Sequence, residues 1–311
     1  MNRPVLLHVG FHKTGTTYLQ DHVFDHPHRG FRSPWSVGSG EAVEHFVLTH
    51  PSRFCPQEIN QKFFAASDAL NLDEKLMPVI SHEDLCGYPQ AGRYYGSDAA
   101  KRLHDTFPDA RILIGVREQK AMLRSTWGQY IRSDGDRSIE EFFGNGAERT
   151  GFRPICRLDH FEYPLLVNQY IELFGRDRVQ VLPFELLRLD PLAYEQTVHK
   201  FCDTKLNAET VHSASNVGFG ARTLSMQRKL NRVAKMPWLW DGDYNGLPLL
   251  TRAKLRTVRL LDRFIPKSWH EKEEKRIRDY IASVTGNYFR ESNRELAEIS
   301  GWDLASFKYD L

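Results

Sequence analysis

One short stretch carries residue types at a spacing suited to holding an anion: Val9-Gly10-Phe11-His12-Lys13-Thr14-Gly15-Thr16-Thr17-Tyr18-Leu19-Gln20. Gly10 and Gly15 have the G-x-x-x-x-G spacing of a Walker A loop, and Thr17 stands where that loop has its Ser/Thr. Between a strand and a helix, such a loop turns backbone N–H groups toward an anion at the positive end of the helix dipole. The lysine is displaced: Thr16 occupies the Walker lysine position, and Lys13 lies three residues earlier, inside the loop. In a nucleotide triphosphatase the lysine after the second Gly reaches the β- and γ-phosphates, and the Ser/Thr holds Mg²⁺. A cation inside the loop suits a shorter anion, with one phosphate and one further oxyanion group. Thr16 and Thr17 then donate hydrogen bonds instead of ordering a metal. A plain strand–turn–helix joint capped by Gly and Thr is the alternative, but capping alone accounts poorly for the lysine.

A second group of titratable residues, Ser81-His82-Glu83-Asp84-Leu85, follows the apolar run at 77–81. The end of a central strand is the usual place for a site in an open α/β sheet. Glu83 also suits a helix cap or an ion pair, and with Asp84 it is a weak metal-ligand candidate. His12 either touches a bound anion or packs the loop. His22-x-x-x-His26-x-His28 has helical spacing that zinc could use, but without an adjacent Glu or Cys it reads as a solvated helix end. Cys55, Cys86, Cys156 and Cys202 are scattered, with no C-x-x-C pair, and read as buried or incidental thiols.

The elements that must position these residues follow from hydrophobic patterning. Short apolar runs at 5–9, 77–81, 111–116 and 179–183 read as strands, and their continuous rather than alternating apolarity implies a parallel sheet covered on both faces. Helices are expected at 16–26, 98–106, 118–131, 138–144, 160–174, 191–202, 222–234, 251–264, 270–284 and 291–298. Ser138-Ile139-Glu140-Glu141 has the form of a capping box. The expectation is one α/β domain spanning 1–311, with a central, mainly parallel sheet between helical layers and helical additions toward the C-terminus. With 42 Lys and Arg against 40 Asp and Glu, the net charge of +2 gives no general argument for nucleic acid. No apolar run approaches the ~20 residues of a membrane span, and the short apolar start reads as a strand rather than a signal peptide. A cytoplasmic protein without a transmembrane segment is therefore expected.

At the first loop the sequence resembles the sulfotransferase family, whose 5′-phosphosulfate-binding loop has the form K-[ST]-G-[ST]-[ST]. The resemblance implies a P-loop-like, three-layer fold that uses 3′-phosphoadenosine 5′-phosphosulfate. It assigns Lys13 to the 5′-phosphate and bridging oxygen, and Thr14, Gly15, Thr16 and Thr17 to the phosphosulfate cradle, with Tyr18 beside the adenine. Family members also carry an Arg at the end of a central strand and a Ser eight residues later, both on the 3′-phosphate. Here Ile112-Leu113-Ile114-Gly115-Val116 leads into Arg117, and Ser125 follows at that spacing. An Arg at a strand end can make a bidentate phosphate contact, and a Ser about two helical turns on can add a donor. Phe174-Gly175-Arg176-Asp177-Arg178-Val179-Gln180-Val181-Leu182-Pro183-Phe184-Glu185-Leu186-Leu187 is similar to the family's F-G…V-x-V-x-x-[YF]-E-x-L segment, with the Glu read as fixing a turn. The segment from Asn287 to Leu296 is similar to the Y-x-x-x-N-x-x-L pattern of bacterial carbohydrate-type members.

The chain lacks the family's late R-K-G element, since Arg228-Lys229 is followed by Leu230. The loop from Ser215 to Arg222 is a substitute, with Gly220 for close approach and Arg222 for charge; an ordinary loop entering a helix fits as well. Transfer of a sulfuryl group to an alcohol needs in-line attack, charge stabilisation on the leaving phosphate and a base for the hydroxyl. Lys13 serves the leaving group. Ser81-His82-Glu83-Asp84-Leu85 is similar to the S-x-E-x-L segment of bacterial and heparan-type members, which makes Glu83 the expected base and His82 the second choice. Residues 222–278 hold fifteen Lys and Arg against six Asp and Glu, either a solvated face or a surface for an anionic acceptor. Trp238, Trp240 and Tyr244 in that segment can stack on sugar rings or pack a core. The helical addition at 222–285 is placed near both substrates. The expected reaction is sulfation of a hydroxyl on a carbohydrate or glycolipid, without metal and without nucleic acid. A small hydroxylated metabolite as acceptor, a nucleotide-dependent kinase using the same loop, and a non-catalytic protein that kept the cradle are the alternatives.

Overall fold

A computed structural model describes residues 4–70, 76–144, 154–206, 220–233 and 264–311. Five strands form one sheet: β1 (Leu6–His8), β2 (Phe31–Arg32), β3 (Met77–Ser81), β4 (Arg111–Val116) and β5 (Val179–Pro183), in the order β2-β3-β1-β4-β5. Every pairing among the described residues is parallel, with Leu6 opposite Val79 on one side and Arg111 on the other, and Ile112 opposite Val179. This is the α/β architecture expected from the patterning, arranged in the P-loop-like way that the resemblance implies, and four of the strands fall where the apolar runs place them. Alternation along the strands explains why those runs are continuous. Leu7, Ile80, Ile112 and Ile114 face one buried cluster, while Leu6, Val79 and Leu113 face another on the opposite side.

Helices cover both faces: α1 (Thr16–Leu19, continued by a π-turn over Gln20–Phe24), α2 (Glu41–Val43), α3 (Pro56–Ala69), α4 (Gly96–Thr106), α5 (Gln119–Arg132), α6 (Ile139–Phe143), α7 (Tyr163–Phe174), α8 (Phe184–Leu189), α9 (Pro191–Cys202), α10 (Ala221–Val233), α11 (Lys267–Thr285) and α12 (Arg290–Ser300). The capping box at Ser138 forms as its sequence indicates, with both reciprocal bonds present. Four of these elements, β2, α2, α3 and α8, have no counterpart in the expected set, and two of them show why. The two-residue strand β2 is too short to leave a pattern, and α3 buries only Ile59, Phe63 and Ser67, a stripe too narrow to announce a helix. The expected helix at 251–264, the loop residues Ser215 to Phe219, and Trp238, Trp240 and Tyr244 lie outside the described residues, apart from position 264.

Because the strands are parallel, the residues that follow β1, β3, β4 and β5 emerge on one edge of the sheet. β1 stands between β3 and β4, so the chain's crossovers diverge from it and open a crevice at that edge. The C-terminal segment buttresses the crevice wall. Asn293 of α12 is fully buried; its Oδ1 accepts from Gln119 Nε2 at 2.6 Å, and its Nδ2 donates to the Asp310 carbonyl at 2.9 Å. That bond pins the first residue of α5 and the chain's last turn together.

Candidate active site

The loop after β1 is held in a strained, anion-ready shape. Lys13 has φ 67° and Gly15 φ 91°, and left-handed residues in such a loop turn N–H groups into a concavity that binds anions. The space around the loop admits no larger residue: a Cβ on Gly15 would stand 3.0 Å from Leu187, and one on Gly115 of β4 2.6 Å from Thr14 Oγ1. Thr14 is buried and donates its hydroxyl to the Phe11 carbonyl at 2.5 Å, so its side chain shapes the loop and only its backbone N–H is left for a ligand. Thr16 is buried with Oγ1 lacking any hydrogen-bond partner, while Thr17 is exposed. An orphaned buried hydroxyl costs about 1–3 kcal/mol unless a ligand satisfies it.

The turn after β3 is tied to this loop. His12 Nε2 lies 3.0 Å from the Gly87 carbonyl and 3.2 Å from Asp84 Oδ1, which makes His12 a loop tie. His82 caps the short helix that begins at Glu83, its Nδ1 accepting from the Asp84 N–H at 3.1 Å. Burial lowers the pKa of His82, so it stands neutral with one ring nitrogen already committed. Glu83 itself is half-buried, is not the cap, and its negative charge acts on Lys13, His12, His8 and His82 alike. Burial, reinforced by Glu83, raises Asp84 to about 7. Beneath the cradle His8 Nδ1 meets Ser81 Oγ at 2.8 Å, and Gln20 Nε2 donates to the Ser81 carbonyl at 3.1 Å, fastening α1 to β3.

Arg117 follows β4 and faces the same loop. It donates from Nη1 to the Lys13 carbonyl at 3.3 Å, and its guanidinium lies 4.8 Å from the Phe184 ring centroid. Its own carbonyl accepts from the Tyr163 hydroxyl at 2.5 Å, and the next N–H, of Glu118, donates to Glu185 Oε1 at 3.0 Å. Glu118 in turn caps α5 through Lys120 and Ala121. Glu185 therefore does fix a turn, the one after the neighbouring strand β4. Among the described residues neither Lys13 nor Arg117 has an ion-pair partner. Burial first, then Arg132 and Arg117, lower Lys13 from the ordinary lysine range to about 8. Burial likewise lowers Arg117 and Arg132. Ser125 is half-buried on α5, eight residues beyond Arg117.

Three expected site residues are placed elsewhere. Tyr18 is 8% exposed and donates to Glu195 Oε1 at 2.5 Å, inside the core rather than on an adenine surface, because it points from α1 into the opposite sheet face. Gly220 is packed so closely on His270 that a Cβ would fall 2.2 Å from its ring, and Arg222 stacks 5.6 Å over Trp269. Both belong to the joint between α10 and α11, where Gly220 lines a cavity of about 410 Å³ together with Arg124, His270 and Glu274. Among the described residues neither hydrogen-bonds to or stacks on Lys13 or Arg117, so a role on the 3′-phosphate has no support from their positions. Among the described residues no group of three His, Cys, Asp or Glu could hold a metal ion, and no helix is long and apolar enough to cross a membrane.

No protein-family model matches the chain, and no curated protein matches it. Solved structures do. The crystal structure of a sulfotransferase from Alicyclobacillus acidocaldarius is 17% identical, covers 99% of this chain and 100% of its own, and superposes with a TM-score of 0.55. The sulfotransferase domain of the Synechococcus PCC 7002 olefin synthase is 14% identical over 82% of this chain and 94% of its own, with a TM-score of 0.39. The first likeness shows that the chain has the fold of that sulfotransferase over nearly its whole length.

Proposed function

We propose that this protein is a sulfotransferase that moves the sulfuryl group of 3′-phosphoadenosine 5′-phosphosulfate to a hydroxyl of a carbohydrate or glycolipid acceptor. The observation that carries this reading is the pair of cations Lys13 and Arg117, neither in ion-pair contact with a carboxylate among the described residues, joined through the Lys13 carbonyl at the crevice edge of a sulfotransferase-type sheet. A nucleotide with charge at both ends matches two cations supplied by different strand ends. The residues present fit the donor: the cradle's backbone N–H groups and the orphaned Thr16 hydroxyl would hold one oxyanion, and Arg117 with Ser125 would hold the other end. Lys13 would stabilise charge on the phosphate as the sulfur–oxygen bond to it breaks. Glu83 would take the acceptor's proton as the new bond to sulfur forms, its neighbour His82 being held as a cap. Thr16 in the Walker lysine position favours this chemistry over a magnesium-dependent kinase. The carbohydrate acceptor rests on the resemblance of the Asn287–Leu296 segment to carbohydrate-type members and on the basic character of 222–278.

The test is a screen of hydroxylated acceptors with sulfur-labelled donor, run beside Glu83→Gln. The variant is expected to lose at least a hundredfold in turnover while binding 3′-phosphoadenosine 5′-phosphate within twofold of the parent. Full turnover by Glu83→Gln would move the base elsewhere.

A further inference from the structure

Glu83 is placed by its backbone: among the described residues its carboxylate has no hydrogen-bond or ion-pair partner. Its position is therefore that of the short helix Glu83–Cys86, which leaves the sheet just after β3. The ladder between β1 and β3 ends where the His82 N–H donates to the His8 carbonyl at 3.2 Å. Beyond that bond one chain runs on into the cradle and the other into the turn that carries Glu83. Strand pairing sets their register up to this point and no further.

His12 bridges the two. It stands one residue before Lys13 and is buried, and its Nε2 lies 3.0 Å from the Gly87 carbonyl and 3.2 Å from Asp84 Oδ1. A carbonyl only accepts, which places the imidazole proton on Nε2. Nδ1 is buried without a partner, so the ring's hydrogen bonding is spent on the turn. The receiving side is rigid. Gly87 has φ 113°, and a Cβ there would stand 3.0 Å from the Arg93 carbonyl. The Gly87 N–H donates to the Asp84 carbonyl at 3.0 Å, and Cys86 Sγ donates to the Glu83 carbonyl at 3.0 Å. From outside, Gly96 of α4 packs so closely that a Cβ would stand 2.5 Å from the Cys86 carbonyl. A turn braced in this way moves as one piece, and whatever holds Gly87 and Asp84 also holds Glu83.

The other end of the bridge is the loop that responds to a ligand. Lys13 is held at φ 67°, a costly value for a residue with a side chain, and the buried Thr16 hydroxyl has no partner. An anion in the cradle satisfies that hydroxyl and favours this loop shape over its alternatives. We infer that His12 is a positioning residue that couples the two substrates' sites. The loop shape that binds the nucleotide is the one in which His12 reaches Gly87 and Asp84, so donor binding fixes Glu83 in place for the acceptor. The link also runs in reverse, because coupling between two sites is reciprocal. This inference rests on the sulfotransferase reading.

The link can be read without an acceptor, by amide hydrogen exchange of the full chain with and without saturating 3′-phosphoadenosine 5′-phosphate. Three proteins are compared: the parent, His12→Asn and His12→Gln. Gln carries an N–H on a side chain long enough to stand where Nε2 does, whereas Asn is too short to reach the turn. In the parent the nucleotide should slow exchange in the cradle, 10–19, and in the turn, 82–88, each by about tenfold. His12→Asn should keep the protection of the cradle and lose that of the turn to within about twofold of none, and His12→Gln should restore it. Protection of the turn that survives in His12→Asn, or that His12→Gln fails to restore, overturns the coupling. So does a parent whose cradle is protected while its turn is not. Loss at both segments in His12→Asn would confine His12 to the cradle and overturns it as well. A parent in which neither segment responds overturns the sulfotransferase reading itself, a result distinct from a cradle that responds alone.

Discussion

The molecule buries charge in two places and treats it in opposite ways. On one face of the sheet Arg29 and Glu195, 1% and 0% exposed, form a two-pronged pair at 2.9 Å, and Tyr18 donates to the same carboxylate at 2.5 Å. At the crevice edge Arg117 donates to the Lys13 carbonyl, and among the described residues neither cation is in ion-pair contact with a carboxylate; Glu83 and Glu185 act on them only from farther off. A buried charge that brings its own partner fixes the fold, because removing either member strands the other in a medium that solvates it poorly. Buried charges of one sign without a partner hold nothing together and are a standing cost. The contrast separates architecture from site: the paired charges are fully buried, while Lys13 and Arg117 are half-buried at the crevice edge.

The largest expected effect falls on the self-neutralised cluster. Glu195→Ala should destabilise the fold by about 3–5 kcal/mol by stranding Arg29, read as a shift in urea midpoint, while the surviving folded fraction binds 3′-phosphoadenosine 5′-phosphate normally. A variant that loses nucleotide affinity at unchanged stability would erase the distinction. The reverse is expected of Arg117→Ala. Its donor affinity should fall by about 2–4 kcal/mol as charge-assisted phosphate contacts are lost, with the urea midpoint little changed or raised by relief of repulsion. Unchanged affinity in a calorimetric titration removes Arg117 from the site.

The smallest effect is a proton. Burial and the two arginines hold Lys13 near pH 8 in the empty protein, and an anion beside it must raise that value. Between the free and bound values the complex holds more protons than the free protein, so affinity should be flat below about pH 8 and fall with rising pH above it. Titrations in buffers of different ionisation heat should report proton uptake near pH 8, and Lys13→Arg should abolish it. Binding without proton exchange at that pH would place the nucleotide away from Lys13.

Much of this was legible in the residues, for a physical reason. Strands β1, β3, β4 and β5 announce themselves because both faces of each are buried, and Lys13 and Arg117 are found because each follows such a strand. What depends on contacts distant in sequence was not legible. Tyr18 adjoins the cradle in the chain, yet its hydroxyl meets Glu195, 177 residues away, on the far side of the sheet. Gly220 and Arg222 looked like a phosphate lid by composition, but α11 takes them up. Arg124 and Arg132 have the same type on the same helix, and among the described residues Glu274, far along the chain, pairs with the first and not the second. A sequence shows where a charge is placed along the chain; its partner is a property of the fold.

The most direct measurement of the central claim is a calorimetric titration of 3′-phosphoadenosine 5′-phosphate into the protein and into Lys13→Ala and Arg117→Ala, each with excess metal chelator, beside a titration of ATP with Mg²⁺. The expected result is undiminished binding of the bisphosphate in chelator, lost on either substitution, with ATP bound more weakly. Binding of ATP that requires Mg²⁺, together with indifference to the bisphosphate, would contradict the account.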